Sequence, residues 1–480
     1  MKEPISKVDT AWLRMEQPNN LMMITGVIVL GPGATFERVV ETIEQRWLAF
    51  RRFRQKAVDK TSGALWEFDE DFDIRTHVRR VALPGKAGQD ELEEYVSDMA
   101  STGLDHSRPL WQFHFIENFT GGPALIQRVH HCYADGIALV QVFLSLTDPG
   151  PEPRPSASDP IKWKRRRAAE STIYQRLMEP ARQGLGQAVH LSQKLLGEAI
   201  EIVQEPEKAG QYVTEATEVI KELAHSLTLS SDPDTLFKGD LGVRKRVAWA
   251  EPLPLEEVKA ISKAFGCTVN DVLIAAVTGA LRNYMIGQGE TPSSDTEVRA
   301  TVPVNLRPLE HAKDLGNHFG LVFLSMPLGE ANPVERVRQV HERMNELKAS
   351  KQAAVSFGLL AALGMGPSML QKPALDMLSE KATMVLTNVP GPQQPLYLAG
   401  GEVREMMFWV PQSGGIGMGV SILSYNGKVF FGVITDRKLV PEPKKIIRRF
   451  KPEFENLVYL SLLLPVAESD AGQQAEELVS

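Results

Sequence analysis

Along the first third of the chain, apolar positions recur with two alternating periods. The run Met22-Met23-Ile24-Thr25-Gly26-Val27-Ile28-Val29-Leu30, closed by Gly31-Pro32-Gly33, predicts a buried strand. Phe36, Val39, Val40, Ile43 and Trp47 then fall at helical spacing, so that strand feeds a helix. Residues 50–54, Phe-Arg-Arg-Phe-Arg, read as a solvated strand edge, and short strands are expected over 66–72 and 77–83. Residues 90–102 predict a helix with acidic groups in its first turn, where the macrodipole favours them. An apolar strand over 123–129 follows, and Ile137, Val140, Gln141 and Leu144 then predict a helix. Residues 148–160 hold enough prolines to stop both helix and central strand, and 161–229 are helix formers interrupted by Pro180 and Pro206.

Strand signals return after Pro233. A strand over 246–250 leads to a helix over 254–265, and Thr268 is placed to cap a helix over 269–285. Strands over 297–306, 320–326 and 382–387 flank a charged helix over 334–349. Within 419–436, Tyr425-Asn426-Gly427-Lys428 between apolar runs is a two-residue hairpin signal. The pattern is mixed α/β throughout, in three parts: 1–149, a proline-rich then helical linker over 150–232, and 233–480.

Charge narrows the partners. Against 53 basic residues stand 60 acidic ones, a formal −7, and nothing calls for nucleic acid. Two cysteines, Cys132 and Cys267, form no disulfide framework, which fits a reducing cytoplasm. The N-terminus lacks a secretory pattern, and no apolar run reaches the ~18 residues of a bilayer span. Residues 21–30 and 357–365 are the most apolar short stretches, so any membrane contact is expected to be peripheral. Lys162-Trp163-Lys164-Arg165-Arg166-Arg167 could serve such contact with anionic headgroups or be a solvated helix face.

The candidate chemistry sits at the end of the 123–129 strand, in His130-His131-Cys132-Tyr133-Ala134-Asp135-Gly136. Neighbouring strand side chains face opposite ways, so only one histidine can serve a given chamber. A neutral imidazole there suits proton abstraction from an alcohol or amine. Asp135, beyond the turn, is placed to brace the loop, and Gly136 could take positive φ and admit a substrate close to the backbone. Opposed faces make the pair poor joint metal ligands, and no other cluster completes a tetrahedral set. Ser421 and Ser424 lack the setting of a nucleophile elbow.

His130-His131-x-x-x-Asp135-Gly136 resembles the HHxxxDG signature of the CoA-dependent acyltransferase superfamily. Six further stretches, in family order, resemble its wax ester synthase/diacylglycerol acyltransferase branch: Val8-Asp9-Thr10-Ala11-Trp12-Leu13, Pro109-Leu110-Trp111, Asn270-Asp271, Pro303-Val304-Asn305-Leu306-Arg307, Gly316-Asn317-His318-Phe319 and Asn388-Val389-Pro390-Gly391-Pro392. Cys132 departs from the small residue that many relatives carry there. The resemblance implies two chloramphenicol-acetyltransferase-like domains facing each other, with His131 as general base, His130 structural, and Asp135 and Gly136 supporting the motif. Arg307 is the expected partner of Asp135. Asn270 is expected to position the nucleophile or steady developing charge, and Pro109, Leu110, Trp111 and Asp271 to touch substrate, although a tryptophan in such a run is more often core. The implied reaction joins a long-chain acyl-CoA to a fatty alcohol or diacylglycerol, with no metal or redox cofactor because the thioester is already activated. The implied setting is the cytoplasm, peripheral at an inner membrane or lipid inclusion. Two other readings stay open: a condensation-type enzyme fed by a carrier-protein thioester, and a non-catalytic lipid-binding or droplet-coating protein.

Overall fold

A computed structural model of the chain describes residues 2–60, 63–152, 230–306, 315–350, 352–353, 355–357, 360 and 379–463. The expected helical linker, its basic cluster and Arg307 lie outside the described residues. Two seven-stranded sheets dominate, with a small antiparallel sheet of Lys2–Pro4, Gly63–Phe68 and Gln55–Lys60 beside the first.

The first sheet is built around Met23–Leu30, where every residue except Gly26 is buried. A strand apolar on both faces needs cover on both and a partner at each edge. Ala124–His130 supplies one edge, antiparallel, and is followed outward by Trp111–Ile116 and Val78–Val81. The other edge is filled from the far end of the chain: Gly401–Trp409 runs antiparallel to Met23–Leu30, with Phe408 opposite Gly26 and Met406 opposite Ile28. Tyr397–Leu398 then bridges Gly401–Trp409 to Thr147–Asp148. The expected division at 149 and 233 therefore does not divide the sheets. One apolar core likewise runs from Trp12, Val27 and Ile126 to Trp249, Leu423 and Phe430 of the second half.

The second sheet is parallel at its centre, where Met384–Pro390 lies between Val298–Asn305 and Met418–Tyr425. Antiparallel strands extend it: Phe319–Met326 on one side, and Lys428–Asp436 with Lys245–Trp249 on the other. Helices Leu255–Ala264, Val269–Gly287, Pro333–Ala349 and Lys444–Leu463 bury their apolar faces in its core through Val258, Val277, Val340 and Phe454. The Asn426-Gly427 turn forms as the sequence predicts, both residues at positive φ, with Tyr425 paired to Lys428.

Two local readings change. The helix expected over 36–47 is α-helical over Phe36–Thr42 and closes in a π-turn, Ile43–Trp47, which turns Trp47 fully into the core. Residues Arg51–Arg54 form a 3-10 turn rather than a strand edge, because Phe53 is buried against Trp47, 3.8 Å between ring centroids. Among the described residues no single helix is long and apolar enough to cross a membrane.

Candidate active site

Strand Ala124–His130 ends where its neighbour begins: the His131 N–H donates to the Met22 carbonyl at 2.7 Å, and the His130 N–H to the Leu110 carbonyl at 2.9 Å. The two rings then part. His130 is fully buried; its Nε2 lies 3.2 Å from Glu16 Oε2 and its Nδ1 accepts the Cys132 N–H at 3.1 Å. It holds the turn. Burial pushes the Glu16 carboxyl up, but hydrogen bonds from His106 and His130 outweigh burial and keep it well below the usual carboxylate range.

His131 faces the seam between the two halves. Its ring stacks on Trp12, 4.2 Å between centroids and 24° between planes, with Phe319 at 5.6 Å. It forms part of the wall of a cavity with about 710 Å³ of empty space, partly open to solvent. The first half contributes Trp12, His131, Asp135 and Gly136; Thr301, Asn305, Thr387 and Phe408 are among the residues from the second. Burial lowers the His131 pKa to about 4, against the opposing charge of Asp135 and the Asn317 side chain, which favour the protonated ring. The imidazole is therefore neutral at physiological pH and able to accept a proton.

The loop that follows is locked to the second half. Asp135 caps helix Gly136–Leu146, its Oδ1 accepting the Ala138 N–H at 2.8 Å, while its Oδ2 accepts the His318 N–H at 2.9 Å. Ala134 and Gly316 form a parallel bridge, and the Gly316 N–H donates to the Tyr133 carbonyl at 3.1 Å. Between them Asn317 donates through Nδ2 to the His131 carbonyl at 2.8 Å and to Asp9 Oδ1 at 2.7 Å. Asp135 is thus the expected brace; Arg307, its expected partner, lies outside the described residues.

A second cavity, with about 740 Å³ of empty space, adjoins the first and shares Gly136 and Phe408 with it. It lies between helix Gly136–Leu146, through Leu139, Val140 and Phe143, and the sheet face carrying Ile24, Gly26, Ile28, Gln127 and Met406. This lining is apolar except for Gln127. Gly136 opens its helix and does not use the positive φ open to glycine. Its value is the missing side chain, since a Cβ there meets nothing within 4 Å at the boundary of the two chambers.

Other expected residues are placed elsewhere. Pro109, Leu110 and Trp111 line neither cavity. The Leu110 N–H donates to the Tyr133 hydroxyl at 3.1 Å, and Trp111 is fully buried, its Nε1 donating to the Phe53 carbonyl at 2.8 Å. This stretch supports the motif loop from behind and does not touch the cavities. Asn270 is also behind the wall. Val385, Thr387 and Val389 face the first cavity, so strand alternation turns Asn388 to the opposite face, where its Nδ2 donates to Asn270 Oδ1 at 2.6 Å. Asp271 closes a capping box with Thr268 and lies 2.7 Å from His341 Nδ1. Neither residue reaches His131; both position the helix and strand behind the chamber. Cys132 is fully buried, and burial drives its thiol well above the ordinary value, which leaves it inert as a nucleophile.

Sequence reasoning gave no role to Trp12, Asp9, Asn317 or Phe408. Asp9 and Trp12, three apart, share one face of helix Lys7–Met15, a legible signal. Phe408 had none, because its place depends on a strand pairing across nearly the whole chain.

Comparison with known proteins bears on the whole chain. Residues 5–273 match the family described as wax ester synthase/diacylglycerol acyltransferase catalytic domain, and residues 315–458 match the corresponding C-terminal domain. A Mycobacterium tuberculosis protein named "probable diacyglycerol O-acyltransferase tgs1" is 28% identical over 468 residues, covering 95% of this chain and 96% of its own. Among solved structures, a wax ester synthase/diacylglycerol acyltransferase from Marinobacter aquaeolei VT8 superposes with a TM-score of 0.66 at 22% identity, covering 96% of this chain and all of that one. The first condensation domain of the calcium-dependent antibiotic synthetase shares the fold, with a TM-score of 0.59 at 13% identity over 96% of both chains.

Proposed function

The chain belongs to the wax ester synthase/diacylglycerol acyltransferase family, and on that premise we propose that it moves a long-chain acyl group from acyl-CoA to a fatty alcohol or diacylglycerol, with His131 as general base. The observation that carries this reading is the His131 ring, neutral at physiological pH, in the wall of a cavity between the halves that adjoins a second, apolar one.

In this reading the acceptor hydroxyl binds beside the His131 imidazole and attacks the thioester carbonyl. As the C–O bond forms, the imidazole takes the hydroxyl proton; the tetrahedral intermediate then collapses, the C–S bond breaks, and the proton passes to the departing CoA thiolate. The imidazolium formed on the way is stabilised by the Asp135 charge that already favours it. The thioester is an activated acyl donor, so the reaction as written calls on no metal or redox group. Two adjoining spaces that share Gly136 and Phe408, the second of them apolar, suit substrates whose hydrocarbon chains must bring their reacting ends to one base.

Substrates of this kind reside in lipid surfaces, so the proposal includes peripheral contact with a membrane or lipid inclusion. Co-sedimentation with anionic liposomes tests that part, and no binding contradicts it.

The test of the reaction is His131→Ala in the full chain, supplied with palmitoyl-CoA and either hexadecanol or a diacylglycerol. Loss of ester product by about 100-fold or more, with the fold intact by circular dichroism, is the expected result. Wild-type turnover in the variant overturns the assignment. A wild-type protein that transfers acyl groups only from a carrier-bound phosphopantetheine thioester would favour the condensation-type alternative.

A further inference from the structure

Helix Lys7–Met15 carries two side chains aimed at the motif. Trp12 lies under the His131 ring, 4.2 Å between centroids, and Asp9, one turn earlier on the same face, is 2% exposed. Asp9 Oδ1 accepts both the backbone N–H of Asn317, at 2.9 Å, and its Nδ2, at 2.7 Å. The same Nδ2 reaches the His131 carbonyl at 2.8 Å. Gly316 allows this approach: its φ is +110°, and a Cβ there would come 3.3 Å from Asp9 Oδ2.

We propose that Asp9 is a positioning residue for acyl transfer: its carboxylate sets which way the Asn317 amide faces, and that amide fixes His131 at the cavity wall. The inference rests on His131 being the base. An amide has a donor end and an acceptor end of nearly the same shape, so only its partners decide its orientation. A carboxylate accepts and never donates, which keeps Nδ2 towards both Asp9 and the His131 carbonyl. A protonated Asp9 can donate, and the flipped amide would set its oxygen against that carbonyl.

The buried carboxyl is poised to make this switch. Burial raises Asp9 to about 6, opposed by hydrogen bonds from Ser6 and Asn317 and by the charge of Arg52. The other titratable groups around it are the Cys132 thiol, held neutral by burial and by the Asp9 charge, and His131, joined to Asp9 through the Asn317 amide and held down to about 4. Asp9 therefore titrates at a higher pH than His131, and an acid limb near pH 6 in the rate profile belongs to the clamp.

The experiment measures ester product from pH 4.5 to 9 with the full chain, wild type beside Asp9→Asn and Asn317→Ala. Wild type should lose kcat as pH falls through about 6. Asp9→Asn should lower the kcat plateau about tenfold with KM unchanged, as expected when a base is held loosely, and its acid limb should move towards that of His131. Asn317→Ala should reproduce the plateau loss, and it carries the test if Asp9→Asn does not fold. A wild-type plateau in either variant, or an acid limb near 6 that survives in Asp9→Asn, overturns the inference. With His131→Ala inactive in the same assay, that failure would leave the proposed reaction standing; an active His131→Ala would instead remove the reaction.

Discussion

Asp9 also has a signature in stability, because its carboxyl is raised from an ordinary 3.8 to about 6 by folding. Between those values the folded chain keeps a proton that the unfolded chain has released, so this group's contribution to stability falls as pH rises through the window. Above it the whole penalty stands, on the order of 3 kcal/mol. Asp9→Asn removes the titration, so whatever hydrogen-bond strength it gives up is given up equally at every pH. The melting temperature of the variant minus that of wild type should accordingly rise from pH 4 to pH 7; a flat difference would show that the carboxyl does not titrate there. Residues of this kind mark the limit of what one chain reveals. The histidine doublet, its turn and the parting of its two rings were legible from strand alternation, and the position of Asp135 beyond the turn suggested its bracing contacts. Asp9 and Asn317 stood inside recognisable stretches, yet their joint action depends on a contact between residues 308 positions apart. Asn270 and Asp271 misled for the opposite reason: a helix N-terminus with an amide and an acid looks the same whether it faces a substrate or the back of a strand.

At the scale of elements, helix Gly136–Leu146 and strand Met23–Leu30 have two duties, since the face each turns to the other lines the second chamber. Gly26 lies opposite Phe408 in the pairing with the crossing strand, and a Cβ on it would make only ordinary contacts, 3.5 Å from the Met407 carbonyl and 3.7 Å from the Phe408 Cβ. Space there is kept by glycine and can be filled without breaking the sheet. Gly26→Val or Val140→Trp should shorten the preferred hydrocarbon chain, because each methylene denied burial costs about 0.8 kcal/mol, close to fourfold in binding. Competition assays over a series of acyl-CoA lengths, and separately of alcohol lengths, would tell which chain occupies the chamber: the affected series loses its long members while short ones still react. Unchanged preference in both series would mean that no substrate chain enters it. Periodicity predicted both elements within a residue or two, because each is long, apolar and closed by a turn or cap. It failed at residues 43–54, where the need to bury Trp47 and Phe53 overrides local preference with a π-turn and a 3-10 turn.

For the molecule as a whole, the crossing strand joins the two halves. Gly401–Trp409 completes the sheet that carries the histidines, Phe408 stands between the chambers, and Gly316–His318 clasps the motif loop. None of this showed in the sequence, since a strand's pattern states how many faces it buries and not which partner it takes. The halves are therefore expected to depend on each other even when the chain between them is cut. Expressed alone, residues 1–232 would leave Met23–Leu30 as an open edge, apolar except for Thr25, an invitation to pair with another copy, and should aggregate. Co-expressed with residues 233–480, the same fragment should be soluble, co-purify with its complement and recover acyl transfer, because Gly401–Trp409 then occupies that edge. A soluble, monomeric 1–232 would mean that the first sheet closes without the donated strand.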